Sequence, residues 1–254
     1  MILRSLTKHV KEQNWFAVLV DFLIVVVGIL MAFQITNWSE QRTATAQLKQ
    51  AETGLQQDLL INYFNAKERI MFTQCRKERV SQLSKKLLES GDEWQSMALN
   101  NDDTSIRAIP IALRSSSRTW GSREWDAELS RGTLSLMDND RRKQLDRLFA
   151  LTKSARGLQE QILTLQARVN VLSQNLMLSR SERLRYLELL AEIDEKSVRL
   201  ERISAQIAEA IEAIGVLIEE SAKGEFQEYV ARTNKGRLAI YGKCVQPITI
   251  PFFN

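Results

Sequence analysis

The sequence predicts a mainly α-helical protein: one N-terminal transmembrane helix, then an elongated antiparallel helical-bundle or coiled-coil domain. Three observations carry this. "VDFLIVVVGILMAFQITNW", Val20–Trp38, is an apolar run interrupted only near its ends. None of the prolines lies between Ile111 and Gln246, where the good helix formers Leu, Ala, Glu, Gln, Lys and Arg dominate. Two long parts of that stretch place apolar residues alternately three and four apart, the spacing of one helix face.

The first 14 residues are expected to form a cytoplasmic N-terminus, and residues 15–38 the transmembrane helix. At about 1.5 Å per residue, Trp15 to Trp38 spans roughly 34 Å, the thickness of a bilayer core with its interfaces. Trp15 and Trp38 fall where interfacial aromatics anchor a span. A cleavable signal would need a small-x-small site soon after the apolar run, and Ala44-Thr45-Ala46 comes only after Glu40 and Arg42. A soluble core helix is rarely apolar on every face over this length. Arg4, Lys8 and Lys11 precede the span, against Arg42 and Lys49 shortly after it, so the positive-inside preference exports the remainder. In a bacterium with two membranes the expected location is the inner membrane, with the main domain periplasmic.

Residues 39–104 read as a first long helix and a break. Leu48, Leu55, Leu59, Val80, Leu83 and Leu87 form its stripe up to about Ser90, and a short helical turn is expected within the break. Residues 105–137 read as an irregular cap rich in Arg and Trp. Inside it, "SREWDAELSRG" predicts a short helix with Ser122 as N-cap and Gly132 just past its end.

Residues 138–233 read as an antiparallel helical hairpin. Its first helix starts near Asp138 or Asn139, with a seam of Leu148, Leu151, Ala155, Leu158, Ile162, Leu165, Val169, Leu172 and Leu176. A turn at "LSRSER", with Ser181 as cap, leads to the second. Its seam is Leu189, Ile193, Leu200, Ile203, Ile207, Ala210, Ile214 and Leu217, with Lys196 as the one charged member. Residues 234–254 read as an extended C-terminal tail.

Composition narrows the function. A formal charge of +4 spread over interleaved signs argues against a nucleic-acid partner, which usually meets a basic block. The single histidine, His9, precedes the apolar run, so histidine-based metal or triad chemistry is excluded from the main domain. Walker, GxSxG and HExxH patterns are absent. No catalytic residue, metal ligand or cofactor is expected, and the chain reads as something other than an enzyme. Cys75 and Cys244 lack CxxC spacing. They are either a disulfide pair, if the domain faces an oxidising compartment, or two unrelated buried thiols.

The membrane segment resembles the N-terminus of an uncharacterised family of bacterial single-span membrane proteins. That family carries an acid, an Ile/Val-rich run, Gly-Ile-x-x-Ala and Gln-Ile-x-Asn-Trp. The matching positions are Asp21, Gly28, Ile29, Ala32, Gln34, Ile35, Asn37, Trp38 and Glu40. Trp125, Leu129, Gly132, Leu134 and Leu136 resemble a second pattern of the same family. The resemblance implies a membrane anchor and brings no activity.

Three groups are candidate sites. Asp21, Val25, Gly28, Ala32 and Ile35 share one helix face, with Gln34 beside it. Gly28-x-x-x-Ala32 would let a second transmembrane helix approach and shield Asp21. Arg114, Arg118, Trp120, Arg123 and Trp125 are either a ligand or partner patch, or a cap in which the tryptophans plug the bundle and the arginines pair with Glu124, Asp126 and Glu128. Asp138 and Asp140 read as acids at a helix start. The functional expectation is a membrane-anchored structural or interaction component, a scaffold or assembly factor. Its partners would be the lipid bilayer and another transmembrane helix, from a second copy or a different protein. The alternative is a sensor or an ion-coupled subunit using Asp21, because "LVDFLIVVVG" is similar in layout to the stator subunits of proton-driven motors.

Overall fold

The computed structural model describes residues 15–96, 118–215 and 220–251. The described chain is mainly helical, as its composition dictates, with one long apolar helix at the N-terminal end. Helix α1 runs Trp15–Met71 and α2 Thr73–Glu89; strand β1 is Glu93–Trp94. Helix α3 is Arg123–Arg131, followed by a 3-10 turn at Thr133–Leu136, α4 at Asn139–Val169 and a second 3-10 turn at Asn170–Ser173. Strand β2 is Leu176–Met177, α5 Arg180–Ile214 and α6 Glu220–Tyr241, with a last 3-10 turn at Gly242–Cys244. The chain divides into two compact units, residues 1–50 and 51–254.

In the first unit most of the described apolar side chains are exposed. Phe22, Ile24, Val25, Met31 and Phe33 are all exposed, as is Trp38. In the second unit, contacts set the helix directions. Gln159 of α4 meets Arg69 and Arg141 of α4 meets Glu52, so α4 runs parallel to α1. Glu212 of α5 meets Tyr63 and Lys67 while Glu201 meets Arg76, so α5 runs back. Tyr229, Arg237 and Tyr241 of α6 meet Phe64, Glu68 and Phe72 in turn, so α6 follows α1 again.

Several sequence expectations are corrected. The helix expected to run unbroken from Ser39 to Ser90 breaks at Phe72. The Met71 carbonyl accepts from the N–H of Gln246 at 3.1 Å, a partner the local sequence cannot announce. The first hairpin helix ends at Val169, so Leu172 lies in a 3-10 turn and Leu176 in β2. The N-cap of α5 is Ser179, whose hydroxyl accepts from the Glu182 N–H in a reciprocal capping box; Ser181 lies inside the helix. The second hairpin helix stops at Ile214, where Gly215 adopts φ 79°. Residues 234–241 are helical, so the extended tail begins near Val245. β1 pairs antiparallel with β2 (Glu93 with Met177, Trp94 with Leu176) where no strand was expected. Leu217 and most of the expected helical turn after Trp94 lie outside the described residues.

The seams hold in part. In α4, Leu148, Ala155, Ile162, Leu165 and Val169 are buried as expected, but Leu151 and Leu158 are only half-buried while Leu145, Phe149, Thr152, Gln159 and Gln166 are buried as well. In α5, Leu189, Ile193, Leu200 and Ile207 are buried as expected. Ser197, Ser204, Ala208 and Ile211 take the places expected of Lys196, Ile203, Ala210 and Ile214. The periodicity and most of its phase hold, and the departures fall where polar side chains occupy the interior. The Thr152 hydroxyl donates to the Leu148 carbonyl and the Ser204 hydroxyl to the Leu200 carbonyl, so both hydroxyls enter the core already bonded.

Away from the polar interior, the apolar core gathers where α2, β1, α4 and α5 meet. Leu83, Leu87, Trp94, Leu165, Val169, Leu172, Leu178, Leu190 and Ile193 pack there. The indole N–H of Trp94 donates to the Leu172 carbonyl at 2.9 Å, so its burial leaves no orphaned donor.

Candidate functional site

The most elaborate polar construction in the second unit begins on α1. Asp58, Asn62, Asn65 and Glu68 recur at helical spacing along one face, and all four are buried. Each holds part of the segment Arg118–Trp125. The Asn62 amide donates to the Gly121 carbonyl and accepts from the Gly121 N–H, both at 2.7 Å, so a side chain reproduces the two bonds of a strand pair. Asn65 donates to the Thr119 carbonyl at 2.9 Å. From the opposite side α4 completes the clamp. Gln159 donates to the Arg118 carbonyl at 2.8 Å, and Arg156 donates to the Trp120 carbonyl at 2.5 Å and to the Ser122 hydroxyl at 3.0 Å. A non-helical segment held between two helices needs its inward carbonyls answered, and side chains do this here for Arg118, Thr119, Trp120 and Gly121.

Asp58 closes one end. Ser122 occupies the N-cap position of α3, as expected, but its hydroxyl bonds to the Asp126 carboxylate. Asp58 takes over the cap, accepting from the N–H of Glu124 at 2.9 Å and of Trp125 at 3.4 Å. Burial pushes the Asp58 carboxyl above its usual value, and the two backbone donors only partly offset this. Gly121 makes the approach feasible: a Cβ there would lie 2.8 Å from Asp58 Oδ1. At the far end of α3, Gly132 adopts φ 77°, the left-handed C-cap its position predicted.

Glu68 closes the other end. It is fully buried and accepts from two arginines: Arg118 at 2.6 and 3.0 Å, and Arg237 of α6 at 2.7 and 3.1 Å. Burial alone would raise the Glu68 carboxyl, but the two guanidiniums outweigh it and hold it below its ordinary value. Burial lowers neighbouring Arg69 to about 10, against the opposing fields of Glu201 and Glu68. A second ionic cluster lies about two turns on, where Arg76 pairs with Glu201 at 2.7 Å and contacts Asp194.

The expected Arg/Trp patch is therefore dispersed. Trp120 and Trp125 are buried, Trp125 stacked on Phe149 at 4.8 Å, as plugs of the interior. Arg118 pairs with Glu68, a partner 50 residues away, and not with the acids of α3. Arg123 is 92% exposed beside Glu124 at 3.5 Å, and Arg131 contacts Glu128. Arg114 lies outside the described residues. A shallow cleft of about 330 Å³ is lined by Trp125, Leu129, Gly132, Leu134 and Arg142, and Leu129 and Leu136 are exposed. Asp138 caps α4 by accepting from the N–H groups of Asp140 and Arg141, both at 3.0 Å.

In the first unit Asp21, Gly28, Ala32 and Gln34 are exposed on the helix, and nothing lies within 4 Å of where a Cβ on Gly28 would sit. The guanidinium of Arg42 stands 5.5 Å over the Trp38 ring. The side chain of Trp15 lies outside the described residues. Among the described residues no group of three or more His, Cys, Asp or Glu is placed to hold a metal ion.

Sequence reading missed Asp58, Asn62, Asn65, Glu68 and Arg237. The available signal was four polar residues at helical spacing beside Leu55, Leu59 and Tyr63, on a helix otherwise striped for burial. These findings define a class only: a helical protein with one helix long and apolar enough to cross a membrane. No family model, curated protein or solved structure matches the chain.

Proposed function

We propose that the chain is a single-pass inner-membrane protein with its N-terminus in the cytoplasm. Its helical domain is exported to the periplasm and works as a scaffold or assembly component, not as an enzyme or a nucleic-acid binder. One observation carries this reading: none of the most apolar window of α1 is covered by its own chain, whereas the unit from Ala51 onward buries a core of its own. Lipid covers most of such a helix at little cost. The exposed face of Asp21, Gly28 and Ala32 suits a second helix, because small residues let two backbones close up around a carboxylate that lipid would solvate poorly.

The bond between Cys75 and Cys244 supports export, since structural disulfides persist in oxidising compartments. The clamp around Arg118–Trp125 supports an interaction role, because its polar groups spend their bonds holding the fold. The test has two arms. A reporter fused at the C-terminus should be active only on the far side of the membrane, and a cytoplasmic C-terminus sinks the topology. Affinity capture in mild detergent should retain a membrane partner or a second copy, which Gly28→Leu releases while the domain stays folded. Unchanged capture by Gly28→Leu refutes the helix contact. Asp21→Asn separates the readings: a scaffold keeps both its complex and its activity, whereas an ion-coupled subunit keeps the complex and loses activity.

A further inference from the structure

We infer that α6 and the tail behind it form a strap, latched on α1 and α2 by the Cys75–Cys244 bond and released when a dithiol reduces that bond. Along α6, Val230 is the one buried residue among those described. The strap is held together internally by Asn234, whose amide donates to the Ile248 carbonyl at 3.0 Å and accepts from the Ile248 N–H at 2.9 Å. Helix and tail therefore move as one piece. Its contacts with the bundle include Phe226 and Tyr229 on Phe64 at 6.2 and 4.9 Å, Arg237 on Glu68 and over Phe72, Tyr241 on Phe72 at 4.6 Å, and the Gln246 N–H on the Met71 carbonyl. Val245, Ile248 and Ile250 add buried apolar contact. The disulfide, joining residues 169 apart, is the one covalent tie.

The two sulfurs are unequally placed. Cys75 is buried, at 1% exposure, while Cys244 is half-buried at the end of the strap. A thiolate of an incoming dithiol attacks Sγ of Cys244, and Cys75 leaves as a thiolate that takes up a proton. The second thiol of the reagent then breaks the mixed disulfide, freeing Cys244 as a thiol and closing the reagent's own disulfide. Two electrons and two protons pass to the protein. The ties that remain are non-covalent, and lifting them bares Phe64, Phe72 and the buried carboxylate of Glu68.

Hydrogen exchange read by mass spectrometry on the full chain in detergent, with and without dithiothreitol, tests this. Amides of Glu220–Tyr241 should exchange on the order of a hundredfold faster after reduction, while those of α4 and α5 keep their protection. Cys244→Ser should reproduce the reduced pattern without reagent. Unchanged exchange in α6 overturns the strap, and so does equal acceleration through α4 and α5, which would make the bond a staple of the whole domain. A chain purified with two free thiols overturns it as well.

Discussion

Glu68→Gln is the sharpest perturbation of the second unit. The amide has nearly the volume of the carboxylate, so packing is kept and the charge alone is removed. Arg118 and Arg237 then face each other across a buried site with no counter-ion. At an effective dielectric of about 20, a carboxylate and a guanidinium about 4 Å apart attract by roughly 4 kcal/mol, so two such pairs amount to roughly 8 before solvation is counted. Arg118 and Arg237 keep 33% and 26% of their side chains exposed, so water screens part of this attraction and part of the later repulsion. Breaking a buried pair typically costs 3–5 kcal/mol, and the screening places this one at the lower end, about 3 kcal/mol. For a chain of this length that lowers the melting temperature by about 6–12 °C, read by circular dichroism at 222 nm. Replacing all three groups together, Glu68→Met with Arg118→Leu and Arg237→Leu, should recover most of the loss, because no charge is left stranded. A Glu68→Gln melt within about 2 °C of the parent would refute the argument that this carboxylate is what neutralises both arginines.

Two further predictions follow from the same clamp. Glu68 and Glu212 both lie below their ordinary value of 4.5: burial raises each, and this is outweighed by Arg118 and Arg237 at the first and by bonds from Lys67 and Tyr63 at the second. Lowered carboxyls give stability that is complete above about pH 4.5 and lost as pH falls through their folded values. Asp58, raised by burial above its 3.8, acts with the opposite sign and softens that decline. Urea midpoints between pH 7 and pH 3 should therefore fall on the acid side, and Glu68→Gln should flatten the fall; an equally steep decline in the variant counts against it. Gly121→Ala brings a methyl within 2.8 Å of Asp58 Oδ1 and 3.4 Å of Asp58 Cα. It should displace the cap of α3 at a cost of about 1–3 kcal/mol, seen as a lower melting temperature, whereas Gly157→Ala, which meets open space inside α4, should raise it slightly through better helix propensity.

Helix content, the apolar run, the end of α3 and the start of α4 were legible in the sequence because each rests on local chemistry. Gly132 stops α3 by its own backbone freedom, and Asp138 caps α4 with its own carboxylate two and three residues on. The phase of the seams was legible only in part. Choosing Leu151 and Leu158 over Thr152 and Gln159 follows the rule that leucine is buried and glutamine exposed. That rule fails when a carbonyl such as that of Arg118 waits inside for a donor. The break at Phe72 and the cap from Asp58 share this origin, since both depend on a segment distant in sequence.

The sequence by itself determined that the chain is helical and that its N-terminal helix is apolar enough to enter a bilayer, because propensity and hydropathy are summed residue by residue. Only the tertiary structure decided that an extended stretch from Arg118 to Ser122 would be ladder-bonded by side chains, that Glu68 would neutralise two arginines 50 and 169 residues away, and that Cys75 would meet Cys244. A buried polar group is satisfied by whichever partner the fold delivers, and a partner far along the chain leaves no periodicity to read.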